Sequence, residues 1–315
     1  MENALKTTLE ISDSDKLSSE PLVSIHMITY NHEKFIAKAI EGVVSQRVDF
    51  PIELLIGDDC STDGTRNIIL EYQKKYPHLI RVIYSESNVG PTKNFYRLYK
   101  SCKGKYIAMC EGDDCWVDNE KLAKQINFLS KHNDYAAAYH DYTACIEGDT
   151  DKPHSSKSHV YDTDQHELIL GGGGFQHSTI CFRNNLGDFP EEFFKVTGGD
   201  LFLRSLLGNL GKGKYIRDIT PSIYNIHAGG IWSGLKKTEQ LVKNIETRCW
   251  MATYYSRINM PDIATHFACN AMTRISNDLV TKKPIFLIWF LKQYFKNTYK
   301  YYKEIKSTLF KKRPH

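Results

Sequence analysis

Short apolar runs alternate with amphipathic segments between residues 22 and 109, and this alternation constrains the fold more than any other feature of the chain. The apolar runs have the length of strands, and the segments between them carry apolar residues at helical spacing, as Ile36, Ile40 and Val43 do. The predicted elements are strand 22–28, helix 33–46, strand 52–56, helix 65–76, strand 80–84, helix 92–102 and strand 106–109. This order predicts an α/β, Rossmann-like fold with a mostly parallel sheet and helices on both of its faces.

Polar clusters follow three of these predicted strands. They are Thr29-Tyr30-Asn31, Asp58-Asp59-Cys60-Ser61 and Glu111-Gly112-Asp113-Asp114. In an open parallel sheet, ligands bind beyond the carboxyl ends of the strands, at the point where the strand order reverses. The three clusters are therefore expected to border one binding cleft.

The last of these clusters predicts a metal site. Carboxylates that lie this close together repel one another, and a cation between them relieves the repulsion. Hard carboxylate oxygens favour Mg²⁺ or Mn²⁺. The alternative is a solvated turn whose acidic side chains cap the helix predicted to begin near Asp118. The position of the cluster at the end of a parallel strand, beside two other polar clusters, favours the metal site.

The first residues of the chain and its cysteines indicate the cellular compartment of the protein. Residues 1–20 are polar and lack periodicity, which predicts a disordered leader. No signal-peptide pattern opens the chain, and the eight cysteines are scattered without a Cys-x-x-Cys pair. These features are typical of a cytoplasmic protein with reduced thiols.

The C-terminal segment is basic and aromatic. From Lys282 onward, ten Lys and Arg residues stand against one acidic residue, Glu304, whereas the whole chain has a net charge of +4. Large apolar residues such as Trp289 and Phe290 lie between the basic ones, which is typical of a helix on an anionic bilayer surface. The alternative is a helix packed on the domain with a solvated basic face. No apolar run approaches the roughly 20 residues of a spanning helix, and the acidic remainder argues against a nucleic-acid partner.

An ordered series of motifs resembles the family 2 glycosyltransferases with the GT-A fold, from about residue 22 to about residue 233. The series comprises Val23-Ser24-Ile25-His26-Met27-Ile28-Thr29-Tyr30-Asn31, then Leu55-Ile56-Gly57-Asp58-Asp59-Cys60-Ser61-Thr62-Asp63-Gly64-Thr65, then Glu111-Gly112-Asp113-Asp114. The resemblance implies a GT-A catalytic domain over residues 21–235 and a helical, basic and aromatic C-terminal region over residues 236–315.

The activity that the resemblance implies is transfer of a sugar from a nucleotide diphosphate sugar to an acceptor hydroxyl, with inversion at the anomeric carbon. UDP is the expected nucleotide. The expected acceptor is a surface polysaccharide or a lipid-linked oligosaccharide, because a cytoplasmic enzyme with a membrane-binding C-terminal region can reach a lipid carrier at the inner face of the cell membrane.

The resemblance also implies which residues contact the donor. Tyr30 is expected to stack on the base, and Asp59 to accept a hydrogen bond from N3-H of a uracil. Lys93 is expected near the diphosphate and His177 near the donor sugar. Each residue also has an alternative role. Tyr30 could be an ordinary packing residue and Asp59 a turn-forming one. Lys93 could be a solvated lysine and His177 a structural histidine. The other expected donor contacts are Thr29, Asn31, Asp113 and Ser233.

The metal ligands and the catalytic base follow from the same resemblance. Asp114 is expected to bind the cation directly, with Asp113 reaching the ribose or the metal and His227 completing the ligand set. Glu111 stands where the family commonly has Asp, and its extra methylene puts its contact with the metal in doubt. Asp200 is expected to take the proton of the acceptor hydroxyl, since inverting transfer requires a base. A helix N-cap is the alternative role for Asp200.

Two other functions compete with sugar transfer. A nucleotidyltransferase acting on sugar phosphates would share a nucleotide-binding parallel sheet, but a glycine-rich, basic loop should follow its first strand, and Tyr30-Asn31-His32-Glu33 does not resemble one. A non-catalytic, membrane-associated nucleotide-sugar binder would need the basic C-terminal segment but not Asp200.

Overall fold

A sheet of eight strands forms the centre of the protein, which a computed structural model describes over residues 8–146 and 160–281. Its strands are β1 (Leu9–Ile11), β2 (Val23–Thr29), β3 (Ile52–Asp58), β4 (Ile80–Tyr84), β5 (Tyr106–Met109), β6 (Tyr135–Tyr139), β8 (Cys181–Arg183) and β9 (Lys212–Tyr215). Strands β7 (Tyr142–Ile146) and β10 (Ser222–Ile226) pair in a second sheet. The helices are α1 (Ile36–Val44), α2 (Thr65–Lys75), α3 (Pro91–Ser101), α4 (Lys121–Lys131), α5 (Gln165–Ile169), α6 (Asp200–Gly208), α7 (Lys237–Arg257) and α8 (Pro261–Thr281), and 3₁₀ turns cover His177–Thr179 and Glu191–Lys195.

The strand order in the main sheet is β1-β4-β3-β2-β5-β8-β6-β9. Strands β4, β3, β2 and β5 are parallel neighbours, whereas β8 runs antiparallel to both β5 and β6. From β2 the chain proceeds to β3 and β4 on one side and then returns to β5 on the other side. The predicted α/β fold with a mostly parallel sheet is confirmed, and the reversal of strand order lies between β2 and β5, where such folds bind ligands.

The predicted disordered leader is wrong for the part of it that forms β1. Strand β1 pairs antiparallel with β4 at the edge of the main sheet. The guanidinium of Arg81 donates to both carboxylate oxygens of Glu10, at 2.8 and 3.0 Å, and Ile11 packs against the core. Local composition gave no sign of this strand because its stabilising contacts are with residues distant in the sequence. Residues 1–7 lie outside the described residues.

Two apolar cores lie on opposite faces of the sheet. Side chains alternate between the faces of a strand, and in β5 Tyr106 and Ala108 join one core while Ile107 and Met109 join the other. Helices α1, α2 and α4 cover the first core, and α3, α6, α7 and α8 contribute to the second. The expectation of helices on both faces is therefore met.

The C-terminal region is helical over residues 237–281, where α7 and α8 pack against each other. Ile245 of α7 contacts Ala271 and Ile275 of α8, and the hydroxyl of Tyr255 lies 2.7 Å from the hydroxyl of Ser205 in α6. None of the helices in the described ranges is long and apolar enough to cross a bilayer. The basic and aromatic segment from Lys282 onward, with the membrane contact expected of it, lies outside the described residues.

Candidate active site

A cavity of about 730 Å³ lies at the carboxyl ends of β2, β3 and β5. Parallel strands present these ends on one edge of the sheet, so side chains far apart in the sequence meet there. Its wall contains most of the residues that the sequence analysis selected: Thr29, Tyr30, Asp59, Asp113, Asp114, His177, Asp200 and Ser233. The three polar clusters thus border one cavity, as their positions after the strands indicate.

The acidic turn after β5 is pressed against the end of β2. The backbone N-H of Gly112 donates to the carbonyl of Ile28 at 2.9 Å. A Cβ at position 112 would lie only 2.7 Å from Cβ of Thr29, so the close approach requires glycine. The glycine inside the acidic motif therefore brings Glu111 and Asp113 to the cavity beside β2.

Asp114 is buried and held by three donors. The hydroxyl of Ser178 and the amide of Gln176 donate to Oδ2, and the backbone N-H of Asn225 donates to Oδ1. Burial, and then the charge of Asp113, raise the pKa of the Asp114 carboxyl well above its ordinary value, although the three hydrogen bonds act in the opposite direction. Both oxygens of the metal ligand expected from the sequence thus have partners within the protein.

Asp113 lies instead beside two histidines. Its Oδ2 is 3.1 Å from Nε2 of His227 and 3.6 Å from Nε2 of His32. One ligand atom from each of the three residues lies within 4.8 Å of the others, which is compatible with a single bound cation. Burial acts to raise the pKa of Asp113, but the hydrogen bond with His227 and the nearby imidazole of His32 outweigh this effect, so the pKa of Asp113 is lowered. The geometry favours Asp113 over Asp114 as the direct ligand.

Strand β10 brings His227 to this triad of Asp113, His32 and His227. An antiparallel bridge joins Cys115 to Ile223, and the amide of Asn225 donates to the carbonyl of Asp113 at 2.6 Å. Sequence analysis selected His227 through the family resemblance but missed His32. The available signal was the place of His32 directly after the polar cluster that ends β2.

Burial lowers the pKa of His32, and Asp113 only partly opposes this effect. The imidazole is therefore neutral near pH 7, which is the form that binds a metal. Two imidazole nitrogens and one carboxylate suit a transition-metal ion such as Mn²⁺ better than Mg²⁺, which prefers oxygen ligands. The residues present therefore fit a divalent cation.

A second group of side chains lies where the turn at His177 meets the start of α6 in the cavity wall. The ring of His177 sits between two carboxylates, with Nδ1 3.4 Å from Oδ1 of Asp200 and Nε2 3.6 Å from Oε1 of Glu111. Burial lowers the pKa of His177 and raises that of Glu111 well above its ordinary value, where Asp113 and Asp200 add to the rise. Glu111 thus contacts His177 and is not one of the three residues around the candidate cation site.

Asp200 is the first residue of α6, and its side chain is 64% exposed. Gly199 occupies the N-cap position, so capping is not the role of the Asp200 side chain. The positive end of the helix dipole stabilises a carboxylate at this position. Asp200 is therefore an accessible carboxyl group in the cavity wall, where it can meet a bound molecule.

At the end of the cavity formed by β2 and β3, Asp59 is tied to the loop before α3. Its two oxygens accept the backbone N-H groups of Val89 and Gly90 at 2.8 and 2.9 Å. Burial raises the pKa of Asp59, although these two hydrogen bonds oppose the rise. Tyr30 is 41% exposed and presents its ring to the cavity. A flat ring beside a fixed carboxylate can hold a planar base.

Asn31 and Lys93 do not contribute to the described wall of the cavity. Asn31 has a left-handed φ of 56°, and its side-chain oxygen accepts the backbone N-H of Thr62 at 2.8 Å. It therefore clamps the loop after β2 to the loop after β3. Lys93 is exposed on the first turn of α3.

The wall extends beyond the domain boundary expected near residue 235. Asn244 and Thr247, both on α7, line the cavity. Arg204 and Tyr224 also line it, and the sequence analysis selected none of these four residues. Local motifs could not reveal Asn244 and Thr247, because α7 is placed beside the cavity by tertiary contacts with α6 and with the 3₁₀ turn Glu191–Lys195.

The motifs at the cavity lie within a segment that matches a known protein family. The model of glycosyl transferase family 2 matches residues 24–211, which is more than half of the chain. The chain belongs to glycosyltransferase family 2. The family assignment made from the motifs is therefore confirmed.

Two bacterial proteins illustrate the sequence similarity of this chain to known proteins. An uncharacterized protein of Mycobacterium tuberculosis, Rv1520, is 34% identical over 215 residues, which are 67% of this chain and 60% of that protein. WfgD of Escherichia coli, a UDP-Glc:α-D-GlcNAc-diphosphoundecaprenol β-1,3-glucosyltransferase, is 38% identical over 112 residues, 36% of this chain and 42% of WfgD. The chain thus spans about 60% of Rv1520.

The fold also resembles that of the mannosyltransferase PcManGT from Pyrobaculum calidifontis, solved with GDP-Man and Mn²⁺. The TM-score is 0.53 at 13% identity, over 92% of this chain and 84% of PcManGT. At this identity the likeness concerns the fold alone.

Proposed function

We propose that this glycosyltransferase moves a sugar from a nucleotide diphosphate sugar, with UDP as the nucleotide, to an acceptor hydroxyl with inversion at the anomeric carbon. The observation that carries the proposal is that one cavity contains both Asp113, beside two histidines, and the exposed carboxylate of Asp200. Inverting transfer needs one group of residues to hold the leaving diphosphate and a separate base to activate the acceptor.

The nucleoside binds at the ends of β2 and β3 in this proposal. Tyr30 stacks on the base, and Asp59 accepts a hydrogen bond from N3-H of the uracil. Both Asp59 oxygens already accept backbone N-H groups, but each carboxylate oxygen has a second lone pair. Thr29 lines this end of the cavity, and Lys93 adds a positive charge near the diphosphate.

Asp113, His32 and His227 would hold a divalent cation, and Mn²⁺ fits this mixed ligand set better than Mg²⁺. A bound cation supplies positive charge that offsets the charge of the diphosphate. Ser233, whose hydroxyl donates to the carbonyl of His227 at 2.7 Å, lies where it can contact a phosphate oxygen. Asp114 then serves to hold the neighbouring turns in place.

The segment between His227 and Ser233 closes over the donor in this proposal. Gly229, Gly230 and Trp232 all line the cavity, and two consecutive glycines permit the backbone to change conformation. Closure would exclude water, which otherwise competes with the acceptor for the anomeric carbon.

Asp200 is the proposed catalytic base. Its carboxylate takes the proton of the acceptor hydroxyl as the acceptor oxygen bonds to the anomeric carbon, and the bond from that carbon to the diphosphate oxygen breaks on the opposite side. The 64% exposure of Asp200 leaves room for an acceptor sugar in front of it. The site then releases UDP and an inverted glycoside.

A lipid-linked oligosaccharide or a growing surface polysaccharide is the proposed acceptor. The name of the relative WfgD specifies an acceptor linked to diphosphoundecaprenol. This acceptor supports a lipid-linked acceptor for the present chain. The basic and aromatic segment from Lys282 onward is expected to bind the anionic inner face of the cell membrane from the cytoplasm. Such a contact would bring the cavity to a lipid carrier.

The test is a transfer assay with a panel of UDP-, dTDP- and GDP-sugars, using GlcNAc-diphospholipids as acceptors and Mn²⁺ or Mg²⁺ as the cation. We expect one UDP-sugar to yield a new glycoside with the anomeric configuration opposite to that of the donor, together with one UDP per transfer. A product that keeps the anomeric configuration would contradict inversion, and transfer only from a GDP-sugar would contradict the proposed nucleotide.

A further inference from the structure

We propose that His177 is a positioning residue that orients the catalytic base Asp200 and is itself oriented by Glu111. The inference rests on the proposed role of Asp200. It concerns how a base that stands exposed on the first turn of a helix is kept in one orientation. None of the family comparisons assigns this task to a residue of the chain.

The two ring nitrogens of His177 face two different carboxylates. Nδ1 lies 3.4 Å from Oδ1 of Asp200, and Nε2 lies 3.6 Å from Oε1 of Glu111. Both separations are longer than a formed hydrogen bond, of about 3 Å. Catalytic contacts are often long in the free enzyme and shorten when substrate binds. A small movement on substrate binding would convert the approach of Nδ1 into a hydrogen bond in which the ring N-H donates to Asp200.

The ring of His177 has little freedom, since the turn that carries it is held from several sides. The side chain of Gln176 accepts the backbone N-H of Ser178 at 2.6 Å, and the hydroxyl of Thr179 donates to the carbonyl of Gln176 at 2.7 Å. The ring is 9% exposed, and its edge contacts the ring of Phe95 at 5.9 Å between centroids. His177 is thus a rigid element in the wall.

The side chain of Asp200, unlike the ring of His177, is exposed and has few contacts that restrain it. Its side chain is 64% exposed, and Gly198 before it has a φ of 76°, which only glycine adopts readily. Within the part of the chain that the structure describes, His177 is the one side chain found within ion-pair distance of Asp200. A flexible carboxylate beside a rigid ring gains its orientation from the ring.

Glu111 completes the arrangement from the other side of the ring. Although it begins the acidic motif, Glu111 does not join Asp113 around the candidate cation site. Its side chain reaches Nε2 of His177 instead. We infer that the length of glutamate matters at this position, since an aspartate would withdraw the carboxylate from the ring by one methylene.

In this mechanism one carboxylate oxygen of Asp200 contacts His177, and the other takes the proton of the acceptor hydroxyl. The N-H at Nδ1 of His177 donates to Oδ1, so Oδ2 is left facing the acceptor. The acceptor hydroxyl gives its proton to Oδ2 as its oxygen bonds to the anomeric carbon and the diphosphate departs. His177 gains and loses no proton in this step. It sets the direction of the accepting oxygen, to which proton transfer is sensitive.

Two substitutions at His177 separate positioning from general packing. The amide nitrogen of asparagine falls near Nδ1 of histidine, whereas that of glutamine falls near Nε2. His177→Asn therefore keeps the donor toward Asp200, and His177→Gln keeps only the contact with Glu111. We expect kcat to fall less than about tenfold in His177→Asn and on the order of 100-fold in His177→Gln. The KM for the donor and the Kd for UDP with Mn²⁺ should change less than about twofold in both.

Equal kcat values in the two variants would overturn the inference, as would a loss that appears in donor KM or UDP affinity instead of kcat. Glu111→Asp provides a second test that leaves the ring in place, and we expect kcat to fall about tenfold with UDP binding preserved. Unchanged kcat in Glu111→Asp would contradict the role of Glu111. If the unmodified enzyme transfers no sugar, the proposed function fails, whereas an active enzyme with insensitive variants refutes only this inference.

Discussion

Nε2 of His227 lies 3.1 Å from Oδ2 of Asp113, although the two residues are 114 positions apart in the sequence. Strand β10 carries His227 to this position because its residue Ile223 bridges to Cys115, directly after the acidic motif. The pair joins the strand ends of the parallel sheet to the later part of the chain. In the proposed function, this pair holds the cation that faces the leaving diphosphate.

The first prediction distinguishes Asp113 from Asp114. We expect Asp113→Asn to reduce Mn²⁺-dependent UDP affinity at least about tenfold, because it removes the charged member of the triad. Asp114→Asn should keep the metal dependence but lower the melting temperature, since its amide would face the amide of Gln176. Calorimetric titration and thermal unfolding measure these effects. Loss of metal dependence in Asp114→Asn alone would return the direct ligand to Asp114.

The second prediction concerns the catalytic base. Asp200→Asn should lower kcat by roughly 10² to 10⁴, because the amide cannot accept the acceptor proton. The Kd for UDP should remain within about twofold, since Asp200 lies on the acceptor side. Asp188→Asn is a matched control, an exposed carboxylate paired with Lys100 outside the cavity. A variant of Asp200 that transferred sugar at the rate of the Asp188 control would remove Asp200 from this role.

The third prediction concerns recognition of the base. Asp59→Asn should weaken UDP binding about tenfold or more, because it loses a charged acceptor for the uracil and disturbs the loop at Val89 and Gly90. Asp63→Asn is the control, since Asp63 accepts backbone N-H groups near the start of α2 and does not line the described cavity. Equal UDP affinity in the two variants, measured by calorimetry, would refute the assigned contact.

The fourth prediction concerns stability at acidic pH. Burial lowers the pKa of His26 from 6.5 to about 4. Between these values the unfolded chain binds a proton that the folded chain does not, so the free energy of unfolding falls as the pH falls through this window, by up to about 3 kcal/mol. His26→Gln keeps a donor toward the carbonyl of Phe95, which now accepts from Nε2 of His26 at 3.0 Å, but does not titrate.

Denaturant unfolding of both proteins from pH 4 to pH 7 provides the measurement for this fourth prediction. The stability of His26→Gln should depend less steeply on pH than that of the unmodified protein. Parallel curves would show that His26 does not contribute to the acid sensitivity.

The parallel part of the fold was predictable from the sequence because its signals are local. Strands β2 to β5 are bounded apolar runs, and the helices between them have a clear apolar face. Strand β6 was missed because alanine occupies positions 136–138, and alanine has low strand propensity. Strand β1 was missed because its pairing with β4 is a distant contact.

The part of the candidate site at the strand ends was also predictable from the sequence. Residues at strand ends, such as Tyr30, Asp59 and Asp113, follow from the topology of a parallel sheet. The sequence could not tell which of two adjacent carboxylates faces the cation site, because Asp113 and Asp114 differ only in the direction of their side chains. The position of His32 after the first polar cluster was a signal in the sequence, but its proximity to Asp113, like the α7 residues of the wall, became evident only from the folded chain.

Calorimetric titration of the full chain with UDP, in Mn²⁺ and then in EDTA, tests the central claim most directly. We predict that UDP binds in the presence of Mn²⁺, that EDTA abolishes this binding, that Asp113→Asn loses it and that Asp200→Asn retains it. Absence of UDP binding, or equal binding in Mn²⁺ and EDTA, would contradict the claim that this cavity is a metal-dependent nucleotide-sugar site.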